Sequence, residues 1–476
     1  MEIRTIERVA LVVLNKPGVL GRVAGHIRHE GWNIKRLLVD EMEDSDSQQD
    51  FKGASKMEID IEGAHTKLAQ VMDRLLNLDC VISIEMFDAE GRKLVRSRSK
   101  DAALTAVEER PLGKAPPKQA GCFRILAVNP GSTSTKFAVY DNEKVLLEHV
   151  IRHDEELLAG CGSVLKQKEM RRDCIMNCLD AAGIPLESID AIAGRGGLLK
   201  PIESGTYLIN QRMLDDLQSA TAAIHASALG AIIAAEIAGS LGISAYVVDP
   251  VVVDEMDRNA KLTGMPGVER SSVFHALNQK AIARRLAAEM GMSYENARYI
   301  VVHLGGGITV GAHRYGRVID VNDAISGEGP FTPERTGGIP AIPLINMCFS
   351  GEYTEQEMID KVTKRGGMLA YLGTKDLRIV QKMINDGDEF AALVLDSMAY
   401  QVSKEIGAMA AVLEGLVDAI ILTGGLAYSI RFTGAIKQRV DKLAPVHVFP
   451  GEDELLALMG GVLRVLRGEE SVATYE

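Results

Sequence analysis

Residues 125–140 read ILAVNPGSTSTKFAVY. A short apolar run stops at a turn of small polar residues, Asn129 to Thr135, and Lys136 leads into a second apolar run, Phe137 to Tyr140. The pattern predicts a β-hairpin whose tip carries backbone N–H groups, hydroxyls, an amide and one ammonium group. Donors packed around a glycine in this way form an electropositive hollow suited to phosphate. This is not a Walker loop: the GxxxxGK[ST] spacing is absent and the second flank reads as strand. Taken alone, the same letters also describe an ordinary Ser/Thr-rich surface turn.

Residues 299–313, YIVVHLGGGITVGAH, repeat the layout, with a turn at Gly305, Gly306 and Gly307 followed by Thr309 and more apolar residues. A third apolar run, Asp418 to Thr423, opens onto Gly424 and Gly425. Two strand–turn–strand units and a later strand–Gly-Gly turn predict a duplicated domain with a nucleotide held between its halves. That organisation resembles the acetate and sugar kinase, Hsc70 and actin superfamily. The resemblance implies an α/β fold, a duplicated ribonuclease H-like (actin-like ATPase) two-lobed kinase.

Composition sets the bounds. The 476 residues are 46% hydrophobic and 25% charged, the balance of a soluble globular protein, and suffice for about three domains. A net charge of −12 argues against nucleic acid as the main partner, because phosphate neutralisation needs basic patches. The first residues, MEIRTIERVA, lack a long apolar core, so no signal peptide is expected; no apolar run is long enough for a membrane span. A cytoplasmic location is the expectation. The six cysteines show no CxxC spacing, and although Cys174 and Cys178 lie one helical turn apart, buried free thiols are expected.

Residues 1–90 look separable. Strand, helix, strand, strand, helix and strand follow one another at about 9–14, 19–31, 34–39, 57–61, 66–78 and 81–86, the ferredoxin-like α+β order, with an acidic loop over 41–50. The stretch VVLNKPGVLGRVAGHIRHEGWNIKRLLV resembles an ACT domain, close to that of the acetolactate synthase regulatory subunit. The resemblance implies domains that pair, hence a homodimer or higher homo-oligomer, and an amino-acid effector held by Asn15, Gly18 and Asn33; a purely dimerising module is the alternative. Residues 91–120, with Arg/Lys runs and then Pro, Ala and Lys, read as a linker. The kinase lobes are expected over 121–300 and 301–470.

From residue 121 to about 466 the chain resembles the butyrate kinase family, with acetate kinases more distant. The ordered motifs are NPGSTSTKFAVY, GRGGLLKPIESGTY, VVDPVVVDEM, RSSVFHALNQKA, VVHLGGGITVGAH, SGEGPFTPERTGGIP and ILTGGLAYS. The resemblance implies an ATP-dependent kinase that makes or uses an acyl phosphate, with ATP/ADP and Mg²⁺ as cofactors. It puts Asn129, Ser132, Ser134 and Lys136 at the phosphates, with Asn129 also near the metal. Arg195, flanked by glycines, has room to meet a carboxylate with its guanidinium fork, and the resemblance makes it the acyl-substrate arginine beside Gly196 and Gly197. Arg335 would stabilise charge on the migrating phosphoryl group.

Asp249 stands at the end of a strand, where such folds bind ligands, and matches the acetate-kinase catalytic aspartate; Asp254 is its rival. His275 would contact the phosphoryl group in flight, and His303, Gly305, Gly306, Gly307 and Thr309 would form the second phosphate turn. His225 is expected on a helix near the cleft. Gly424, Gly425 and Leu426 would cover the adenosine, and Glu454 would approach the metal, with Glu452 as the alternative. An apolar pocket over 196–208 suits short acyl chains, but one methylene is worth only about 1–3 kcal/mol, so acetate, propionate, butyrate and branched acids stay open. A nucleotide-binding sensor without turnover and a sugar kinase or chaperone are the competing readings.

Overall fold

The computed structural model describes residues 4–14, 23, 27, 33–41, 54–64, 81–87, 93–99, 118–219 and 226–476. They fall into two compact units, Met1–Arg110 and Pro111–Glu476.

The first unit is a sheet of β1 (Arg4–Leu14), β2 (Asn33–Glu41), β3 (Ala54–Ala64), β4 (Val81–Phe87) and β5 (Lys93–Ser99), in the order β2-β3-β1-β4-β5. All neighbours are antiparallel. The first four strands follow the order that split βαβ units dictate. Alternation sets the buried face: Val9 lies opposite Ile59 and Leu11 opposite Met57, and all four side chains are buried. Strand β5 lies inside the stretch expected to be linker. Its Lys93, Arg96 and Arg98 hide it from a hydrophobicity reading, yet suit an edge, where charge discourages further pairing. Asn33 opens β2. Asn15, Gly18, His225, the helix expected over 66–78, most of that over 19–31 and most of the acidic loop lie outside the described residues.

The second unit contains β6 (Arg124–Pro130), β7 (Ser134–Asp141), β8 (Lys144–Arg152), β9 (Ala191–Gly194), β10 (Thr206–Leu208), β11 (Ser244–Val248), β12 (Arg298–Leu304), β13 (Ile308–Arg314), β14 (Arg317–Val321), β15 (Ala419–Gly424), β16 (Val446–Pro450) and β17 (Ala473–Thr474). One sheet runs β17-β10-β11-β9-β6-β7-β8 and the other β14-β13-β12-β15-β16. Each holds the same five-strand pattern. A hairpin (β6–β7, β12–β13) continues into a third antiparallel strand, and two parallel strands lie on its other side. This duplication is the two-lobed ribonuclease H-like α/β kinase fold.

The central strands are buried on both faces, as strands covered by helices must be. Leu126 and Val128 of β6 pack with Leu229 and Ile233 of the helix Ala228–Leu241, while Ile125 and Ala127 pack with Leu458 and Val462 of the helix Glu454–Leu466. In β12, Ile300 and Val302 face the helix Glu389–Val412, and Tyr299 and Val301 face the helix Ala276–Glu289. Leu277, at the start of that last helix, packs with Leu455 and Leu458. The helix after β16 thus returns to the first sheet, and the helix before β12 meets it between the halves. Cys174 and Cys178 are half-buried and Cys348 is exposed, so these thiols are less enclosed than expected.

Candidate active site

The β6–β7 hairpin pairs Asn129 with Lys136 and closes through Gly131 N–H donating to the Ser134 carbonyl at 2.7 Å. Ser132 and Lys136 are exposed. Behind the turn lies a residue that the motifs did not single out. Arg171, fully buried on the helix Lys168–Ala181, donates to the carbonyls of Gly131, Ser132 and Ser134 at 2.8–3.0 Å. It also donates to the Thr135 hydroxyl at 3.0 Å, which lies 2.8 Å from His153 Nε2. Burial, and then the Arg171 charge, pull His153 down to about 4. The available signal was periodicity: Arg171, Ile175 and Leu179 share one helix face, so an arginine stands on a stripe that should be apolar.

Arg195 follows β9, its backbone held by its N–H to the Val128 carbonyl at 2.9 Å and by Ala231 N–H to its own carbonyl at 3.0 Å. Its guanidinium donates to Glu454, whose other carboxylate oxygen accepts from the Asn129 amide. Three expected site residues therefore converge from β6, the β9 loop and the N-terminus of the last long helix. Arg195 Nε is buried with no partner, and so is Arg335 Nε; among the described residues only Thr206 Oγ1 shares that condition. Leaving a buried donor unpaired costs about 1–3 kcal/mol, more on a charged group, so both guanidinium groups are set for acceptors that a ligand would bring.

The second hairpin brings its own group. His275 caps the helix Ala276–Glu289 and stacks on His303 of β12. His303 Nδ1 meets the Asn278 amide oxygen at 2.8 Å, and its Nε2 lies 3.1 Å from Glu452. That contact with His303 holds the Glu452 carboxyl below its ordinary range, against the effect of burial. Burial first, then His303, Arg195 and Arg335, push His275 well below the usual imidazole value. The Gly305–Gly307 turn closes over this cluster: a Cβ on Gly307 would stand 2.6 Å from Arg335 Nη1 and 3.3 Å from His275 Cε1. Thr309 is buried, its hydroxyl 3.0 Å from His275 Nδ1.

The remaining expected residues are placed differently. Asp249 is buried at a positive φ of 37°, and its carboxylate accepts from Ser204 (2.6 Å), Gly205 N–H (3.0 Å) and Arg284 (3.3 Å). Burial alone would raise its pKa, but Arg284, Lys280, Ser204 and Gly205 outweigh it and hold the carboxyl below its ordinary range. It lines a cavity of about 180 Å³ with Asn278, Thr423, Gly451 and Asp453, and it makes no hydrogen bond to Arg195, His275 or Arg335 among the described residues. Its rival Asp254 pairs with Lys261 at 2.6 Å. Gly196 and Gly197 are wedged against Val247, Pro250 and Ala228, so they shape the chain beside Arg195 rather than line open space. Gly424 backs onto Leu304, Gly425 faces open space, and Leu426 packs on the second core.

The described residues contain no cluster of three or more His, Cys, Asp or Glu groups that could hold a metal alone. Asn129 and Glu454 meet through the Asn129 NH₂ group and a Glu454 carboxylate oxygen, which brings one amide and one carboxylate together. That set fits Mg²⁺, which keeps several waters and shares the oxygens of a bound phosphate. No helix among the described residues is long and apolar enough to cross a membrane.

Residues 259–436 match the acetokinase family and residues 9–83 match the AHAS small subunit-like ACT domain. Among solved structures, the chain is similar to Porphyromonas gingivalis acetate kinase, at 20% identity over 72% of this chain and 100% of that one, with a TM-score of 0.58. A propionate kinase from Francisella tularensis subsp. tularensis SCHU S4 aligns at 20% identity over 71% and 98%, TM-score 0.59. Acetate kinase from Entamoeba histolytica aligns at 18% identity over 71% and 98%, TM-score 0.59. These identities speak to fold alone. The chain thus matches the acetokinase family over 259–436 and the AHAS small subunit-like ACT domain over 9–83, and it shares the two-lobed fold of acetate and propionate kinases.

Proposed function

We propose that the second unit is an ATP-dependent kinase of short-chain carboxylates, butyrate kinase-like, exchanging ATP and the acid for ADP and an acyl phosphate. The observation that carries this reading is the pair of buried, unpartnered guanidinium nitrogens, Arg195 Nε and Arg335 Nε, whose charges both act on His275 of the stacked histidine pair. Arg195 takes the carboxylate of the acid, and Arg335 takes charge from the phosphoryl group as it moves. His275 and the Gly305–Gly307 backbone add neutral donors, while Ser132, Ser134, Lys136 and His303 meet the phosphates. Gly424, Gly425 and Leu426 cover the adenosine. Mg²⁺, held by Asn129 and Glu454, would neutralise phosphate charge. Asp249 holds Ser204 and Arg284 through its carboxylate.

The ACT domain supports a regulatory half to the proposal: paired ACT domains in a homo-oligomer bind an amino acid and bias the kinase, in the cytoplasm. Measuring kcat/KM for C2 to C5 acids, with and without valine, leucine and isoleucine, tests both halves. Turnover greatest with a C4 acid supports the butyrate-like reading, and greatest with acetate, propionate or a branched acid replaces it. No turnover with any acid leaves a nucleotide-binding sensor. Arg335→Ala is expected to cut turnover by orders of magnitude with nucleotide binding retained, and unchanged turnover would remove Arg335 from its role.

A further inference from the structure

A chain of buried side chains leads from the second lobe's interior to His275. Tyr294 Oη lies 2.7 Å from His313 Nδ1, and His313 Nε2 lies 3.0 Å from Gln279 Oε1. Gln279 Nε2 lies 2.8 Å from Thr309 Oγ1 and 3.1 Å from the Thr309 carbonyl. Thr309 Oγ1 in turn lies 3.0 Å from His275 Nδ1. Tyr294, His313, Gln279 and Thr309 are all buried.

The directions of the Gln279 bonds follow from one group. A backbone carbonyl only accepts, so the Gln279 atom facing Thr309 must be its NH₂ and the atom facing His313 its oxygen. His313 Nε2 then carries a proton, its Nδ1 accepts from the Tyr294 hydroxyl, and the ring is neutral. Because the Thr309 oxygen receives a Gln279 proton, its own hydroxyl proton is free to donate to His275 Nδ1. The remaining proton of a neutral His275 sits on Nε2, which bonds to no described residue. Burial, then Lys280 and Arg284, hold His313 well below the usual imidazole value, and His275 is lowered as described above. A further sign of close fit is Gly311: a Cβ there would stand 2.5 Å from Gln279 Oε1 and 3.1 Å from His313 Nε2.

We infer that Tyr294, His313, Gln279 and Thr309 are positioning residues that lock His275 as the Nε2–H tautomer, so that it presents a neutral hydrogen-bond donor, not a lone pair or an acid, to the phosphoryl oxygens. The inference rests on the carboxylate-kinase reading for the identity of the acceptor, and on the relay alone for the tautomer. A neutral donor fits beside Arg195 and Arg335, where a third positive charge would be costly and a lone pair would repel a phosphoryl oxygen.

The test is long-range ¹H–¹⁵N NMR of the full-length protein labelled with [¹⁵N]histidine, with signals assigned by loss in His275→Gln and His313→Gln. Both rings are expected as neutral Nε2–H tautomers from about pH 6 to about pH 8, the range in which an ordinary histidine changes charge. In Gln279→Glu the isosteric side chain, once ionised, cannot donate, so the Thr309 hydroxyl turns toward it and His275 must donate from Nδ1. That variant is expected to show the Nδ1–H tautomer and to lose about 10²-fold in kcat, the typical effect of one lost transition-state donor, with the KM for ATP within about threefold. An Nδ1–H or imidazolium His275 in the wild-type protein would overturn the inference, and so would Gln279→Glu with wild-type kcat. Should Gln279→Glu not fold, the wild-type spectrum decides alone. Absence of any acid turnover would sink the kinase reading while leaving the tautomer readout intact.

Discussion

His275 and His303 lie face to face, their ring centroids 3.7 Å apart and their planes within 9° of parallel. One ring comes from the cap of a helix and the other from the end of a strand, so their stacking ties the helix Ala276–Glu289 to the second hairpin. Two imidazolium rings at this separation would repel, and the depressed pKa of His275 follows from burial together with that neighbour and two arginines.

Acid stability follows from the histidines kept neutral by burial. For His153 the folded value is about 4, below the ordinary 6.5, so beneath pH 6.5 the unfolded chain binds a proton that the folded chain refuses. Stability therefore falls as pH drops from 6.5 toward about 4, by up to about 1.4 kcal/mol per pH unit for each such group. His275 and His313 act in the same direction. The thermal midpoint, measured across this window, is expected to drop less steeply in His153→Gln than in the wild type. Equal slopes would remove His153 from the account.

Arg171 is a buried cation that donates to three carbonyls, the Thr135 hydroxyl and the Gln167 amide oxygen, with no carboxylate among these acceptors. Desolvating it costs several kcal/mol, but charge-assisted bonds return about 1.5–3 kcal/mol each, and several of them outweigh the cost. Arg171→Met keeps the stem and leaves the turn carbonyls unmet. It is expected to lower stability by about 3 kcal/mol and to raise the KM for ATP at least about tenfold, because the first turn loses its backing. Calorimetry and nucleotide titration check the two effects, and an unaltered ATP KM would reduce Arg171 to a purely structural group.

At Gly307 the backbone φ is not in the left-handed region, so alanine is tolerated by the main chain. The new methyl would nonetheless enter the space of Arg335 Nη1 and His275. Gly307→Ala is expected to fold normally and lose about 10²-fold in kcat, the scale of an ångström's misplacement of a reacting group. A near wild-type kcat would mean that Arg335 does not act where it now lies.

Glu454 contacts both Arg195 and Asn129, so the roles proposed for acid and metal can be separated by substitution. Arg195→Lys keeps the charge and loses the planar fork, so the KM for the acid is expected to rise at least about tenfold while that for ATP moves less than about threefold. Glu454→Gln is expected to shift half-saturation by Mg²⁺ at least about tenfold upward. Steady-state kinetics with acid, ATP and Mg²⁺ varied in turn distinguish the two. A shift of acid KM in Glu454→Gln with no change in Mg²⁺ demand would transfer the carboxylate to the arginine's service alone.

Legible in the residues alone is the local and repeated part: two strand–turn–strand hairpins, the continuous apolar runs of β6 and β12, the Gly305–Gly307 turn and the ACT-like strand order. These follow from near neighbours along the chain, where side-chain alternation and turn chemistry act over a few residues. The tertiary structure alone decided which groups meet. Asn129 and Glu454 are 325 residues apart in sequence, and their contact depends on the last long helix returning to the first sheet. The same crossing sends Glu452 to His303 rather than to Asn129, while Asp249, at the end of β11, meets Ser204 and Arg284 rather than the histidines. Arg171 and Tyr294 lie outside every motif, and the motifs that contain Gln279, Thr309 and His313 do not disclose the bonds among them, because a buried hydrogen bond depends on where a side chain ends and periodicity records only which face it starts from.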